Sequence, residues 1–248
     1  MIADHQYKVS VITAVYNAES CIGDLIESLR RQEDPDFEWV VVDGLSTDST
    51  LEILKQVDDL NIKIISEADF GIYDALNKGV KACGGEYYLV AGADDIFFPN
   101  AIKDYKAAIE IGVDLITANV LMGDCVVKPR GYPWLFGQMA FISNHALGVL
   151  IRKELHIIYG YYSNKFPIAA DQLFIQKCAL AGVNIKTIDQ SIGEFQLGGL
   201  SSTDRIGALT ESFRIALLLG RNKWIQGVLY VLMLIKRLNR LKTHRGTK

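Results

Sequence analysis

Glu86-Tyr-Tyr-Leu-Val-Ala-Gly-Ala-Asp94-Asp95 is the stretch that decides how this chain folds. Residues 86–90 form a short, almost unbroken apolar run, the pattern of a strand buried on both faces of a sheet. Small residues follow, then two adjacent carboxylates. A buried strand that ends this way puts anionic oxygens in the crevice where open α/β sheets bind ligands. Hard divalent cations take few protein carboxylates and share their remaining positions with phosphates and water. The pair therefore points to a metal-assisted nucleotide site. The plainer reading is an Asp-Asp turn capping a helix at Phe97 or Phe98, and the neighbouring segments decide between the two.

Upstream, Lys8–Ala14 reads as a first strand, and a helix is expected from Glu19 or Ser20 to about Gln32, with Ile22, Leu25, Ile26 and Leu29 on one face. Phe37–Val42 is a second strand ending at Asp43. Gly44–Asp48 turns into a second helix, where Ser49 and Glu52 have capping-box spacing. Ile62–Ile65 is a third strand and Gly71–Cys83 a third helix. Downstream, Pro99–Ile111 reads as helix, Val113–Val120 and Ala146–Ile151 as strands, and Asp171–Ala181 as a helix stopped by Gly182. Residues 121–143, rich in Gly, Pro and aromatics, suit a loop lining a site. Alternating strands and helices imply an α/β fold with a mostly parallel sheet wound by right-handed crossovers.

Composition narrows the function. The chain has 248 residues, half of them hydrophobic and 22% charged, which describes a folded protein with a substantial core. Its net charge of -3 hides an asymmetry: residues 221–248 carry eight Lys or Arg and no acid, leaving a balance of -11 on the rest. An acidic body is not that of a nucleic-acid binder. Cys21, Cys83, Cys125 and Cys178 lie far apart without His partners, which argues against zinc and against a disulfide framework and suggests buried, reduced thiols in a cytosolic protein. The N-terminus has no apolar segment of the kind a signal peptide needs. No Gly-x-Gly-x-x-Gly follows the first strand and there is no Gly-Lys-Ser/Thr loop, against dinucleotide oxidoreductases and P-loop enzymes. Nucleotidylyl transfer would need a Gly-rich, cationic loop after the first strand, and Val15-Tyr16-Asn17-Ala18 is not one.

Three strand ends deliver polar residues to one edge: Thr13–Asn17, Asp43–Asp48, and Asp94 with Asp95. Here the sequence closely resembles the inverting nucleotide-sugar glycosyltransferases of family 2, which have the GT-A fold. The resemblance rests on residues 9–17 (Val-Ser-Val-Ile-Thr-Ala-Val-Tyr-Asn), 40–50 (Val-Val-Val-Asp-Gly-Leu-Ser-Thr-Asp-Ser-Thr), Asp69–Gly79 and Gly85–Asp95. A weaker match continues through Asn144-His145 and Ala170-Asp171 to residues 198–203.

The resemblance implies a single GT-A domain over 1–205, with the nucleotide sugar on 8–100 and the acceptor on 101–205, and a helical, basic segment over 206–248. It implies that Tyr16 and Asp43 surround the donor base, that Asp94 lies by the ribose and diphosphate, and that Asp95 ligates Mg2+ or Mn2+. Thr13, Asp69 and Asn77 belong to the same motifs and come with them as donor-side residues. Asp171 falls at the catalytic base and His145 in the acceptor pocket. Two departures bear on the donor. Where many relatives have two successive Asp, this chain has Asp43-Gly44, and where many have Arg before Asn77 it has Leu76, with Lys78 a substitute cation near the phosphates.

The residue types suit that chemistry: a carboxylate can take the proton of an attacking sugar hydroxyl, and a divalent ion neutralises the leaving diphosphate. Each also has a structural reading: Asp171 and Asp48 as helix caps, His145 as a buried hydrogen-bonded histidine, Tyr16 as packing. The expected donor is a UDP-sugar and the expected acceptor a glycan or lipid-linked hydroxyl in cell-surface polysaccharide synthesis. The alternative is a nucleotide-sugar or glycan-binding protein that kept the fold without turnover. Helices are expected over Ile206–Gly220 and Trp224–Leu241. The apolar run Trp224–Ile235 is too short to span a bilayer, but with the cations after it suits an anchor on the inner face of the plasma membrane. The opposing reading is a helix docked on the protein itself.

Overall fold

The computed structural model describes residues 7–196 and 204–245. Its first half is a wound parallel sheet: β1 (Tyr7–Val15), α1 (Ile22–Arg30), β2 (Glu38–Asp43), α2 (Thr50–Lys55), β3 (Ile62–Ser66), α3 (Ile72–Ala82) and β4 (Gly85–Val90). These strands order as β3-β2-β1-β4, all parallel, with Val11 beside Trp39 and Leu89 across the register. Alternation explains why they are apolar throughout. Val9, Val11 and Val15 of β1, with Tyr87 and Leu89 of β4, meet α1 on one face. Ile12, Tyr88 and Val90 meet Leu76 and Val80 of α3 on the other.

The second half comprises β5 (Ile96–Phe97), α4 (Ala101–Ala108), β6 (Leu115–Met122), β7 (Cys125–Val127), α5 (Pro133–Phe136), a 3-10 turn (Gly137–Ala140), β8 (Val149–Arg152), α6 (Leu155–Tyr159), α7 (Ala170–Leu180) and β9 (Ile185–Glu194). The sheet continues β4-β8-β6-β9-β5, with β7 on β6. It becomes mixed here, because β8 runs antiparallel to both β4 and β6, and β5 and β7 are also antiparallel to their partners. Two helices follow, α8 (Arg205–Leu218) and α9 (Lys223–Arg245). The weaker sequence match at 198–203 lies outside the described residues.

Several local expectations change. Ser49 makes no side-chain cap; Asp48 fills that place, accepting from the Thr50 amide and hydroxyl. The Asp94–Asp95 turn caps no helix: β5 follows it, and α4 begins only at Ala101. Cys83 and Cys178 are buried, but Cys125 is exposed, because it lies on a short hairpin strand beyond the core.

α8 belongs to the core through Ile215, and its Glu211 carboxylate accepts from the Ile168 and Ala169 amides that lead into α7. α9 packs on α8, with Phe213 and Tyr230 ring centroids 4.9 Å apart, and Gln226 donates to the Trp134 carbonyl. Its outer side presents Trp224, Val228, Val231, Leu232 and Ile235, all exposed. No helix among the described residues is long and apolar enough to cross a membrane.

Candidate active site

The β1–α1 and β2–α2 loops are stitched to each other at the C-terminal edge of the sheet. Asn17, held at φ 51°, accepts from the Thr47 amide. Its own amide donates to Ser46 Oγ, and the Ala18 amide to Thr50 Oγ1. This fixes Tyr16, 63% exposed, at the rim. A Cβ on Gly44 would come within 2.6 Å of Asp69 Oδ2 and 3.7 Å of the Tyr16 ring. The Asp69 carboxylate, arriving from a different loop and held by the Gly71 amide, thus occupies the space a second acid after Asp43 would take.

Other donor-side candidates turn inward. The Thr13 hydroxyl is wholly buried and accepts from the Trp39 indole. Asp43 is equally covered, its oxygens taken by the Ser46 amide and the Ser66 hydroxyl, so it shapes the loop. Asn77 clamps the Tyr162 backbone with two hydrogen bonds of 2.9 Å. Lys78 is held by Glu67, Asp74 and the Ala68 carbonyl. The structure therefore gathers Tyr16 and Asp69 at the rim of the sheet edge and holds Thr13, Asp43, Asn77 and Lys78 in hydrogen bonds within the fold.

Asp94 and Asp95 converge on Gly92, where a Cβ would lie 2.9 Å from Asp94 Oδ1 and 3.1 Å from Asp95 Oδ2. Asp95 has no solvent exposure and accepts from the Gly92 and Gln196 amides. Burial, with the neighbouring Asp94 charge, pushes it up to about 7, because no described cationic side chain pairs with it. The described residues contain no cluster of three or more metal-ligating side chains, so a cation here would have two carboxylates and need outside oxygens.

The second cluster forms where α3 and α7 meet. Asp171, in the first turn of α7, is not its cap. Oδ1 accepts from the Tyr73 hydroxyl at 2.5 Å and Oδ2 from Gln138 Nε2 at 2.9 Å. Burial and the Asp171 charge hold Tyr73 well above the usual tyrosine range, keeping it a donor. Beside them runs a buried chain: His145 Nε2 to Tyr162 Oη (2.8 Å), Tyr162 Oη to Tyr88 Oη (2.7 Å), Tyr88 Oη to His156 Nε2 (2.5 Å), and His156 Nδ1 to the Gly160 carbonyl (3.1 Å). A carbonyl only accepts, so His156 donates through Nδ1. Burial lowers His156 to about 4, so its Nε2 is a bare acceptor. Tyr88 must then donate to His156, Tyr162 to Tyr88, and His145 Nε2 to Tyr162. Burial also lowers His145, against the opposing pull of Asp171. The neutral ring thus keeps its lone pair on Nδ1, which takes no hydrogen bond from any described residue.

Motif spacing locates Tyr73, which lies within the Asp69–Gly79 stretch. Gln138, Tyr162 and His156 carry no such signal.

The family profile described as Glycosyl transferase family 2 matches residues 10–170. The chain belongs to glycosyl transferase family 2. It is 30% identical over 206 residues to a PGL/p-HBAD biosynthesis glycosyltransferase of Mycobacterium bovis, covering 78% of this chain and 79% of that protein. It is 37% identical over 197 residues to the poly(ribitol-phosphate) beta-N-acetylglucosaminyltransferase TarS of Staphylococcus aureus, covering 73% of this chain and 34% of that one. Among solved structures, S. aureus TarS 1-349 with UDP-GlcNAc superposes with a TM-score of 0.70 at 24% identity, covering 92% of this chain and 71% of that one. The Pyrobaculum calidifontis mannosyltransferase PcManGT with GDP-Man and Mn2+ gives 0.67 at 20% identity, covering 86% and 65%. These superpositions bear on the fold, which is GT-A. This family 2 glycosyltransferase holds its candidate carboxylates in two groups, one at the sheet edge and one at the α3–α7 junction.

Proposed function

We propose that this glycosyltransferase inverts the anomeric carbon of a nucleotide-diphosphate sugar, with Asp171 as the general base toward an acceptor hydroxyl. The observation that carries this is the Asp171 carboxylate, buried at the start of α7 and held by two donors while each oxygen keeps a second lone pair. Tyr73 and Gln138 orient it. Asp171 takes the hydroxyl proton as the acceptor oxygen bonds to the anomeric carbon. The bond to the diphosphate breaks on the opposite face, and its electron pair leaves with the diphosphate. His145 Nδ1, a fixed acceptor, orients a second acceptor hydroxyl.

On the donor side Tyr16 and Asp69 face the base, with a UDP-sugar as the reading favoured by the UDP-GlcNAc-bound relative. Asp94 lies by the ribose and diphosphate. Asp95 fits a cation ligand, since a carboxylate so deeply buried otherwise takes up a proton. Mg2+ or Mn2+ held by Asp95, with Asp94 alongside, would supply charge neutralisation for the departing diphosphate. The relatives, a PGL/p-HBAD biosynthesis glycosyltransferase and a poly(ribitol-phosphate) beta-N-acetylglucosaminyltransferase, support a role in polysaccharide biosynthesis, for which we take the acceptor to be a glycan or lipid-linked hydroxyl. The exposed apolar side of α9, followed by cations, supports seating on an anionic membrane surface.

Asp171→Asn is the test. The acceptor-dependent rate should fall by about 10^2 to 10^4-fold, roughly 3–5 kcal/mol in the barrier, with donor affinity unchanged. An unchanged rate with weakened donor binding would overturn the assignment.

A further inference from the structure

Among the described residues four buried side-chain polar atoms lack a hydrogen-bond partner, and three of them, Gln138 Oε1, Arg221 Nε and Arg237 Nη1, belong to residues lining one cavity. The cavity holds about 290 Å³ between residues 133–139 and the helices α7, α8 and α9. Its only charged lining residues, among those described, are Arg221 and Arg237. Burial lowers both guanidinium groups from the usual arginine range, and Arg205 adds to this for Arg237. Each guanidinium is half-buried and keeps one covered N–H without an acceptor, and a bound anion supplies the acceptor that both lack.

The polarity of the orphaned atoms describes the missing ligand. Two are donors on cations and ask for an anionic acceptor. The third is an amide oxygen and asks for a hydroxyl. Its orientation is set, because the same amide donates its Nε2 to Asp171. A ligand satisfying all three carries a phosphoryl group and a hydroxyl, with the hydroxyl end against the residue that holds the base.

We propose that this cavity is a binding site for a hydroxylated phosphate ester, and that it holds the phosphoryl-bearing part of the acceptor with Gln138 between it and Asp171. The acceptor assignment rests on Asp171 being the base; the anion site does not. Trp134, Phe136 and Phe213 also line the cavity, so apolar surface is offered to the carbon skeleton of such a ligand.

The test uses the full chain in EDTA, so that the carboxylate pair has no cation with which to hold phosphate, and excess UDP as a competitor for the nucleotide site. Inorganic phosphate and glycerol 3-phosphate are titrated by calorimetry. Saturable binding that UDP does not displace is expected, tighter for glycerol 3-phosphate because its hydroxyls reach Gln138 Oε1. Arg237→Gln should weaken it about tenfold, the loss expected for one charge-assisted hydrogen bond. Arg221→Gln should do the same, but Arg221 also donates to Gln176, so Arg237→Gln is the cleaner variant. A short-chain phosphatidic acid competing with glycerol 3-phosphate separates the sources: the tighter ligand shows whether the phosphoryl group arrives on a lipid or on a free polyol. Displacement by UDP, or equal phosphate affinity in wild type and Arg237→Gln, would overturn the site. Should Asp171→Asn keep full activity while the titration succeeds, the base assignment fails and the anion site stands.

Discussion

Replacing Asp95 by asparagine should change how stability depends on pH in a metal-free sample. In the folded chain the Asp95 carboxyl is raised from 3.8 to about 7, chiefly by burial. A carboxyl raised on folding contributes stability that is fully present below its unfolded value and lost as pH rises through the folded one. Between about pH 4 and pH 7 the native state therefore holds one proton more than the unfolded state. Unfolding free energy should fall by about 1.4 kcal/mol per pH unit from this group, up to roughly 4 kcal/mol in all. The carboxamide of the Asp95→Asn variant does not titrate. It keeps one oxygen for the Gly92 amide and sets an NH2 against the Gln196 amide, a cost of about 1–3 kcal/mol that does not vary with pH. Urea denaturation in EDTA across pH 4–8 is the assay. The wild-type minus variant difference should slope downward and flatten above pH 7, and Mn2+ should restore the wild type alone by mass action. Parallel curves in EDTA would refute the buried, proton-competent carboxylate, and with it the fit to a cation.

Three further outcomes follow from the geometry. Gly44→Ala should displace the Asp69 carboxylate, whose Oδ2 lies 2.6 Å from the new Cβ, and weaken donor affinity about tenfold; combined with Asp69→Ala it should cost no more than Asp69→Ala alone, as calorimetric titration of UDP will check. Tyr162→Phe removes the acceptor of His145 Nε2–H, so 15N resonances should report a mixture of ring tautomers, with KM for the acceptor raised and donor affinity kept. A single tautomer retained in that variant would break the chain of donors. Val231→Glu with Leu232→Glu, both on the exposed side of α9, should abolish co-sedimentation with anionic vesicles at unchanged melting temperature, whereas equal pelleting would reject the membrane seat.

The wound half of the fold is legible because its strands and helices obey single periods: β1 and β4 are buried on both faces, and α3 carries one apolar stripe. β9 escapes notice because it is half-exposed along most of its length and mixes Lys, Asp, Gln and Glu into a weak alternation. Within the site, motif membership places residues without telling ligand-facing groups from the scaffold beneath them. Asp69 and Asn77 sit in one motif, yet one reaches the rim and the other clamps the Tyr162 backbone. Gln138 comes from a segment with no period at all, and only its contact with Asp171 reveals it.

The grip of Glu211 on the amides ahead of α7 bears on how this protein can be recombined with its relatives. A splice at residue 205 leaves Asp171 on the donor parent and the carboxylate that anchors its helix on the other. Chimeras joined there should assemble a sheet and bind nucleotide yet place the base poorly. Exchanges that carry 170–218 as one block keep the helix and its anchor from the same ancestor.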